Sequence, residues 1–125
     1  MGGLPADVNG TGTIVLLVDD LMFASRIREA AKGKGVAVAS ARTAAQVVDA
    51  CKAGAKTVIA DLDSPRLNAL ESIAAVAGDP ALAGVHLVGF FSHVETETAR
   101  AARAAGCRTV LPRSAFVREL PALIG

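Results

Sequence analysis

From Thr13 onward, apolar runs of strand length alternate five times with stretches whose apolar residues recur at helical spacing. TIVLLV (13–18) is a continuous apolar run rich in β-branched residues, the pattern of a strand buried on both faces. The stretch LMFASRIREAAKGKG follows, with Phe23, Ile27 and Ala31 at helical spacing and glycines at its end. VAVAS (36–40) is expected as a second strand, and Thr43 as the cap of a helix running to about Ala53, with Val47, Val48 and Cys51 inward. TVIA (57–60) is the third strand and leads into Asp61. A helix over 66–77 is broken by Gly78, Asp79 and Pro80, and VHLVGFF (85–91) forms the fourth strand, ending at Ser92. A helix over 95–105 stops at Gly106, RTVL (108–111) is the fifth strand, and a last helix covers about 115–124. Pro121 is expected to kink or shorten that helix.

Strands and helices in strict alternation imply a parallel sheet with helices on both faces, a three-layer α/β/α architecture. The strand order 2-1-3-4-5, the flavodoxin-like arrangement, is a common solution for five such strands. Residues 1–12, MGGLPADVNGTG, read as a disordered lead-in and 13–125 as one domain. Phe90 and Phe91 are adjacent on one strand and so are expected to pack on opposite faces.

Composition narrows the function classes. Apolar residues make up 52% of the 125 and aromatics only 3%, which argues for a core of small side chains and against a stacking surface for single-stranded nucleic acid. A net charge of +1 gives no sign of a nucleic-acid or membrane partner. No run approaches the ~20 apolar residues of a membrane span, and no signal-peptide pattern opens the chain, so a cytoplasmic location is expected. Cys51 and Cys107 fit no metal spacing and read as reduced thiols.

In open α/β sheets ligands bind beyond the carboxyl ends of the strands, so the residues there carry the information. Strand 1 ends in Asp19 and Asp20, strand 3 in Asp61, strand 4 in Ser92, and strand 5 leads into Arg113. Carboxylates crowded together resist joint ionisation, and a divalent cation relieves the cost. Hard oxygen donors favour Mg²⁺ over Zn²⁺. The competing explanation is local: Asp20, just before Leu21, is also placed to cap the helix that follows. His86 and His93 lack the spacing of a zinc site; His86 reads as structural, His93 as an exposed loop residue beside Ser92.

These residues carry a resemblance to the CheY-like receiver domains of response regulators, over about 13–124. LLVDD is similar to that family's acidic pair, VIADLDSP to its phosphoacceptor motif with Asp61 followed four residues later by Pro65, FFS to its hydroxyl position at Ser92, and LPRS to its lysine position at Arg113. The resemblance implies that Asp61 accepts a phosphoryl group from a histidine kinase, a phosphotransfer protein or a small phosphodonor. It implies Mg²⁺ held by Asp20, Asp61 and the backbone carbonyl of Asp63, with Asp19 acting through water, and Ser92 donating to the acyl phosphate. Arg100, Arg103 and Arg118 would then face a downstream protein partner. On this reading the chain is no enzyme and binds no nucleic acid or membrane.

Four departures bear on that expectation. Arg113 replaces a lysine and is not its equivalent. Ser114 replaces a proline whose preceding bond is cis, so Arg113–Ser114 is expected to be trans, leaving the direction of Arg113 open. Val110 replaces the aromatic switch residue, and Asn68-Ala69 replaces an Asp-Gly. They favour, as alternatives, a pseudo-receiver that acts without phosphorylation and, more remotely, a phosphatase resembling the haloacid dehalogenases, in which Asp63 would be the acid/base.

Overall fold

The computed structural model describes residues 13–92 and 96–124; the lead-in expected over 1–12 and His93 lie outside the described residues. Among those described, β1 (Thr13–Leu17), α1 (Leu21–Gly33), β2 (Ala37–Ser40), α2 (Ala44–Lys52), β3 (Ala55–Asp61), α3 (Ala69–Ala77), β4 (His86–Phe91), α4 (Thr96–Ala105), β5 (Thr109–Pro112) and α5 (Arg113–Ile124) follow one another in strict alternation. A 3₁₀ turn, Pro80–Leu82, precedes β4. The strands pair in parallel in the order β2-β1-β3-β4-β5, as the alternation implies.

Alternation along each strand divides the core in two. Ile14, Leu16, Ile59, Val88 and Phe90 face α1 and α5, where they meet Phe23, Ile27, Phe116 and Leu120. Val15, Leu17, Val58, Leu87 and Phe91 face α2, α3 and α4, against Val47, Ile73, Val76, Ala99 and Ala102. A sheet covered on both faces has no polar side, which is why the strands read as unbroken apolar runs. Phe90 and Phe91 therefore part to opposite layers, as expected.

The first layer is pinned by aromatic packing. The ring centroids of Phe23, Phe90 and Phe116 lie 4.7 to 5.6 Å apart, and Phe90 and Phe116 are fully buried. At the opposite end of the strands, His86 Nε2 meets Thr109 Oγ1 at 2.7 Å across β4 and β5, the structural role expected for this histidine. Cys51 and Cys107 are free and buried, and burial pushes the Cys107 thiol up to about 11.

Some boundaries differ from the sequence expectation; β3, for one, begins at Ala55 rather than 57. The third helix begins at Ala69 rather than 66, because Asn68 adopts the left-handed region (φ 45°) and Leu67 turns inward to 3% exposure. Asparagine tolerates that conformation better than most residues. The last helix begins at Arg113, directly off β5, rather than near 115. It also runs through Pro121 without being shortened, because Leu120 and Ile124 bury against the α1 face. Lys34 Nζ donates to the Pro121 carbonyl at 2.9 Å.

Truncating Phe116 removes the centre of the aromatic packing. Phe116→Ala is expected to lower unfolding free energy by about 3–5 kcal/mol, read from urea denaturation as a lower midpoint at unchanged slope.

Candidate functional site

Four carboxylates gather at the carboxyl edge of the sheet. Asp61 ends β3 opposite Phe90 in register and is only 6% exposed. Asp19 and Asp20 lie on the segment between β1 and α1, and Asp63 on the turn after β3. With Ser64, Pro65, Arg66 and Arg113 they line an open cavity of about 430 Å³. A second cavity, about 520 Å³, adjoins it on the α1/α5 side and is bordered by Asp20, Met22, Phe23, Arg26, Ser92 and Arg113.

The acids differ in what each holds. Asp61 Oδ1 accepts from the Asp63 backbone N–H at 3.0 Å. Burial raises the Asp61 pKa above the ordinary carboxylate value, the hydrogen bond from Asp63 and the Arg113 charge offset part of this, and Asp63 and Asp20 add to it by repulsion. Asp20 caps α1, its Oδ1 accepting from the Phe23 N–H at 3.0 Å, the local role its position before Leu21 suggested. That hydrogen bond, with help from Arg113, holds the Asp20 pKa below the ordinary value.

Arginines answer the crowding of negative charge. Asp19 Oδ1 pairs with Arg42 at 3.0 Å and its Oδ2 with Arg66 at 3.4 Å. Asp20 Oδ2 meets Arg113 Nη1 at 3.4 Å. The Arg113 guanidinium lies over the Phe23 ring, 4.3 Å from its centroid, and 5.5 Å from that of Phe90. A cation at the first turn of a helix is disfavoured by the helix dipole, so these contacts hold it where the dipole would not. No cis peptide bond occurs among the described residues, so Arg113–Ser114 is trans, and the side chain nevertheless points at the acids.

Ser92 turns toward Asp63 instead of standing free. One carboxylate oxygen, Asp63 Oδ2, accepts from the Ser92 backbone N–H at 2.5 Å and from its hydroxyl at 2.7 Å. In the opposite layer Val110 is buried at 7% exposure, packed with Ala99 and Ala102. Arg100, Arg103 and Arg118 are all exposed, on α4 and α5.

The edge rule thus brings together Asp19, Asp20, Asp61, Ser92 and Arg113. Among the described residues no three acids stand close enough to hold a metal ion. The donors are hard oxygens of the kind Mg²⁺ takes, yet Asp19 is turned to two arginines and Asp20 to a third and to its helix. The set expected for Mg²⁺, Asp20, Asp61 and the Asp63 carbonyl with Asp19 through water, calls on only two carboxylates directly, and a cation there would take the place of the arginines that now face Asp19 and Asp20. Sequence reasoning missed Arg42 and Arg66, and the hold of the Asp63 side chain on Ser92. Arg42 was within reach of the same rule, since it follows the end of β2 by two residues.

Comparison with known proteins places the fold. No family model matches the chain, and no curated protein matches it. Solved structures do. A response regulator from Hahella chejuensis superposes with a TM-score of 0.76 at 20% identity, covering 90% of this chain and 92% of that one. The phosphorylated cyanobacterial phytochrome response regulator RcpA gives 0.71 at 17% identity, over 90% and 88%. The receiver domain of a DNA-binding response regulator from Colwellia psychrerythraea gives 0.73 at 14%, over 90% and 98%.

Two measurements test the electrostatics. A buried carboxylate whose folded pKa is raised costs stability once ionised, and that cost vanishes where it is protonated in both states. Asp61→Asn is therefore expected to unfold at a higher temperature than the parent at pH 7, with the gap closing as pH falls through the carboxylate range. Exposed ion pairs are each weak, so replacing both Arg42 and Arg66 with glutamine should strengthen Mg²⁺ binding by roughly 2- to 10-fold, read from amide shifts near Asp19 and Asp61 during a magnesium titration.

Proposed function

We propose that this chain, built on the CheY-like receiver fold, is a receiver in phosphorelay signalling: Asp61 accepts a phosphoryl group, and the modified protein acts by binding another protein. The observation that carries the reading is Asp61 itself, a nearly buried carboxylate at the end of a central strand, opening on a cavity it shares with the Arg113 guanidinium. The fold likeness to response regulators supports it. The donor would be a phosphohistidine on a histidine kinase or phosphotransfer protein, or a small acyl phosphate.

The chemistry follows from the geometry. Asp61 Oδ1 is engaged by the Asp63 N–H, which leaves Oδ2 as the attacking oxygen. It forms an O–P bond as the donor's N–P bond breaks; the imidazole nitrogen keeps the electron pair and takes a proton from solvent. Burial makes the carboxylate more basic and so a better nucleophile when ionised. Arg113 can bind a phosphoryl oxygen in place of Asp20 Oδ2, neutralising charge that develops in transfer. The product is a covalent mark on the chain rather than a released substrate, so the role is signalling and not turnover.

Arg100, Arg103 and Arg118, exposed on α4 and α5, form the surface we assign to an acidic partner. Two buried free thiols and the absence, among the described residues, of any helix long and apolar enough to cross a membrane accord with a cytoplasmic setting. A second reading, an interaction module that works without phosphorylation, is favoured by one feature: Asp19, Asp20 and Asp63 already have protein partners. The phosphatase reading is weakened because Ser92 already holds one oxygen of the Asp63 carboxylate, Oδ2.

Incubation with acetyl phosphate or phosphoramidate, with and without Mg²⁺, separates these readings. Intact-mass spectrometry is expected to show one added phosphoryl group on the parent chain and none on Asp61→Asn. A parent chain that stays unlabelled under every donor would overturn the phosphoacceptor role and leave the phosphorylation-independent module.

A further inference from the structure

We propose that Asp63 is a positioning residue that holds Ser92, so that Ser92 serves a phosphoryl group on Asp61 only by giving up the Asp63 carboxylate. The consequence for signalling rests on the proposed role of Asp61; the hold itself does not.

Both donors of Ser92 converge on one oxygen. The N–H at 2.5 Å and the hydroxyl at 2.7 Å reach Asp63 Oδ2 across a sequence separation of 29 residues. Hydrogen bonds to an ionised acceptor are short and strong, and two on one oxygen fix both the backbone and the side chain of Ser92. The acceptor is itself fixed from behind. The Asp63 N–H is bonded to Asp61 Oδ1, and the Leu62 N–H donates to the Phe90 carbonyl at 2.9 Å. Leu62 lies so close over Gly89 that a Cβ there would come within 2.9 Å of its side chain. Gly89 thereby lets the turn after β3 rest on β4, which brings Asp63 to Ser92.

An anion at Asp61 acts on this arrangement twice. Its oxygens compete for the Ser92 donors, and its charge repels the Asp63 carboxylate, which already raises the Asp61 pKa by the same repulsion. Asp63 and Ser92 are both exposed, so water can take over either partner when the bond opens and the exchange is reversible. The carboxylate therefore occupies, in the unmodified protein, the hydroxyl that would otherwise be free to report on Asp61. Phosphorylation becomes an exchange of one acceptor for another, not a first capture.

The test uses the full chain, its Asp63→Ala and Asp63→Asn variants, and beryllofluoride with magnesium as the phosphoryl mimic. Without the mimic, the Ser92 amide proton is expected downfield in the parent and upfield in both variants, while amide shifts in β1 and β2 stay in place and report an intact fold. With the mimic, Asp63→Ala is expected to bind about tenfold more tightly than the parent, the size of one charge-assisted hydrogen bond. The gain should shrink when Ser92→Ala is combined with it, to the part that comes from relieving the Asp63 charge, a coupling that a merely structural role of Asp63 would not produce. An unmoved Ser92 amide in Asp63→Ala, or an affinity gain that is undiminished without the Ser92 hydroxyl, overturns the proposal. If beryllofluoride binds neither the parent nor the variants, it is the phosphoacceptor role of Asp61 that fails, and the amide comparison alone decides whether Asp63 holds Ser92.

Discussion

Like charges brought to one edge of a sheet repel, and the architecture of this chain concentrates them there. Parallel strands all present their carboxyl ends on the same side, so Asp19, Asp20, Asp61 and Asp63 share a rim whether or not that is electrostatically comfortable. Everything around the rim answers that repulsion. Arg42 and Arg66 take Asp19, Arg113 takes Asp20, a helix end takes the remaining Asp20 oxygen, and Ser92 takes Asp63. Three guanidiniums thus stand against four carboxylates. Asp61 is left with a backbone N–H and the long-range pull of Arg113, and its pKa is raised chiefly by burial, with the repulsion of Asp63 and Asp20 adding to it.

The aromatic packing beneath the rim makes the arrangement possible. Phe23, Phe90 and Phe116 give the sheet a firm floor on one side, and the upper face of Phe23 carries the Arg113 guanidinium. A lysine in that position would lack the flat face that lies against the ring. An arginine at position 113 and Phe23 under it therefore make physical sense together. The opposite layer is rich in alanine and valine, and α4 meets it through Ala99 and Ala102.

The fold was legible because each strand declares itself as an apolar run and each helix as a period, and these signals are local. Asp61 and Ser92 were legible for the same reason, since a strand's end can be read from the strand. What could not be read was which acid meets which base. Asp19 finds Arg42 across 23 residues and Asp20 finds Arg113 across 93, pairings that no local pattern encodes. The start of α3 was misplaced because a left-handed Asn68 leaves little trace in composition, and α5 was begun too late because an arginine is a poor signal for a helix start. The contact of the Asp63 side chain with Ser92 spans 29 residues and is equally silent in the local sequence.

Asp20 divides its two oxygens between two masters. Oδ1 is committed to the Phe23 N–H and so to the integrity of α1, while Oδ2 faces the cavity and Arg113. A carboxylate with a single usable oxygen would have to uncap its helix whenever its charge partner changed. Here the guanidinium can leave, or another cation arrive, without disturbing the first turn that carries the exposed Leu21 and Met22. The rim is in this sense electrically exchangeable and mechanically insulated, and the surface of α1 keeps its shape regardless of what the acids beside it are holding.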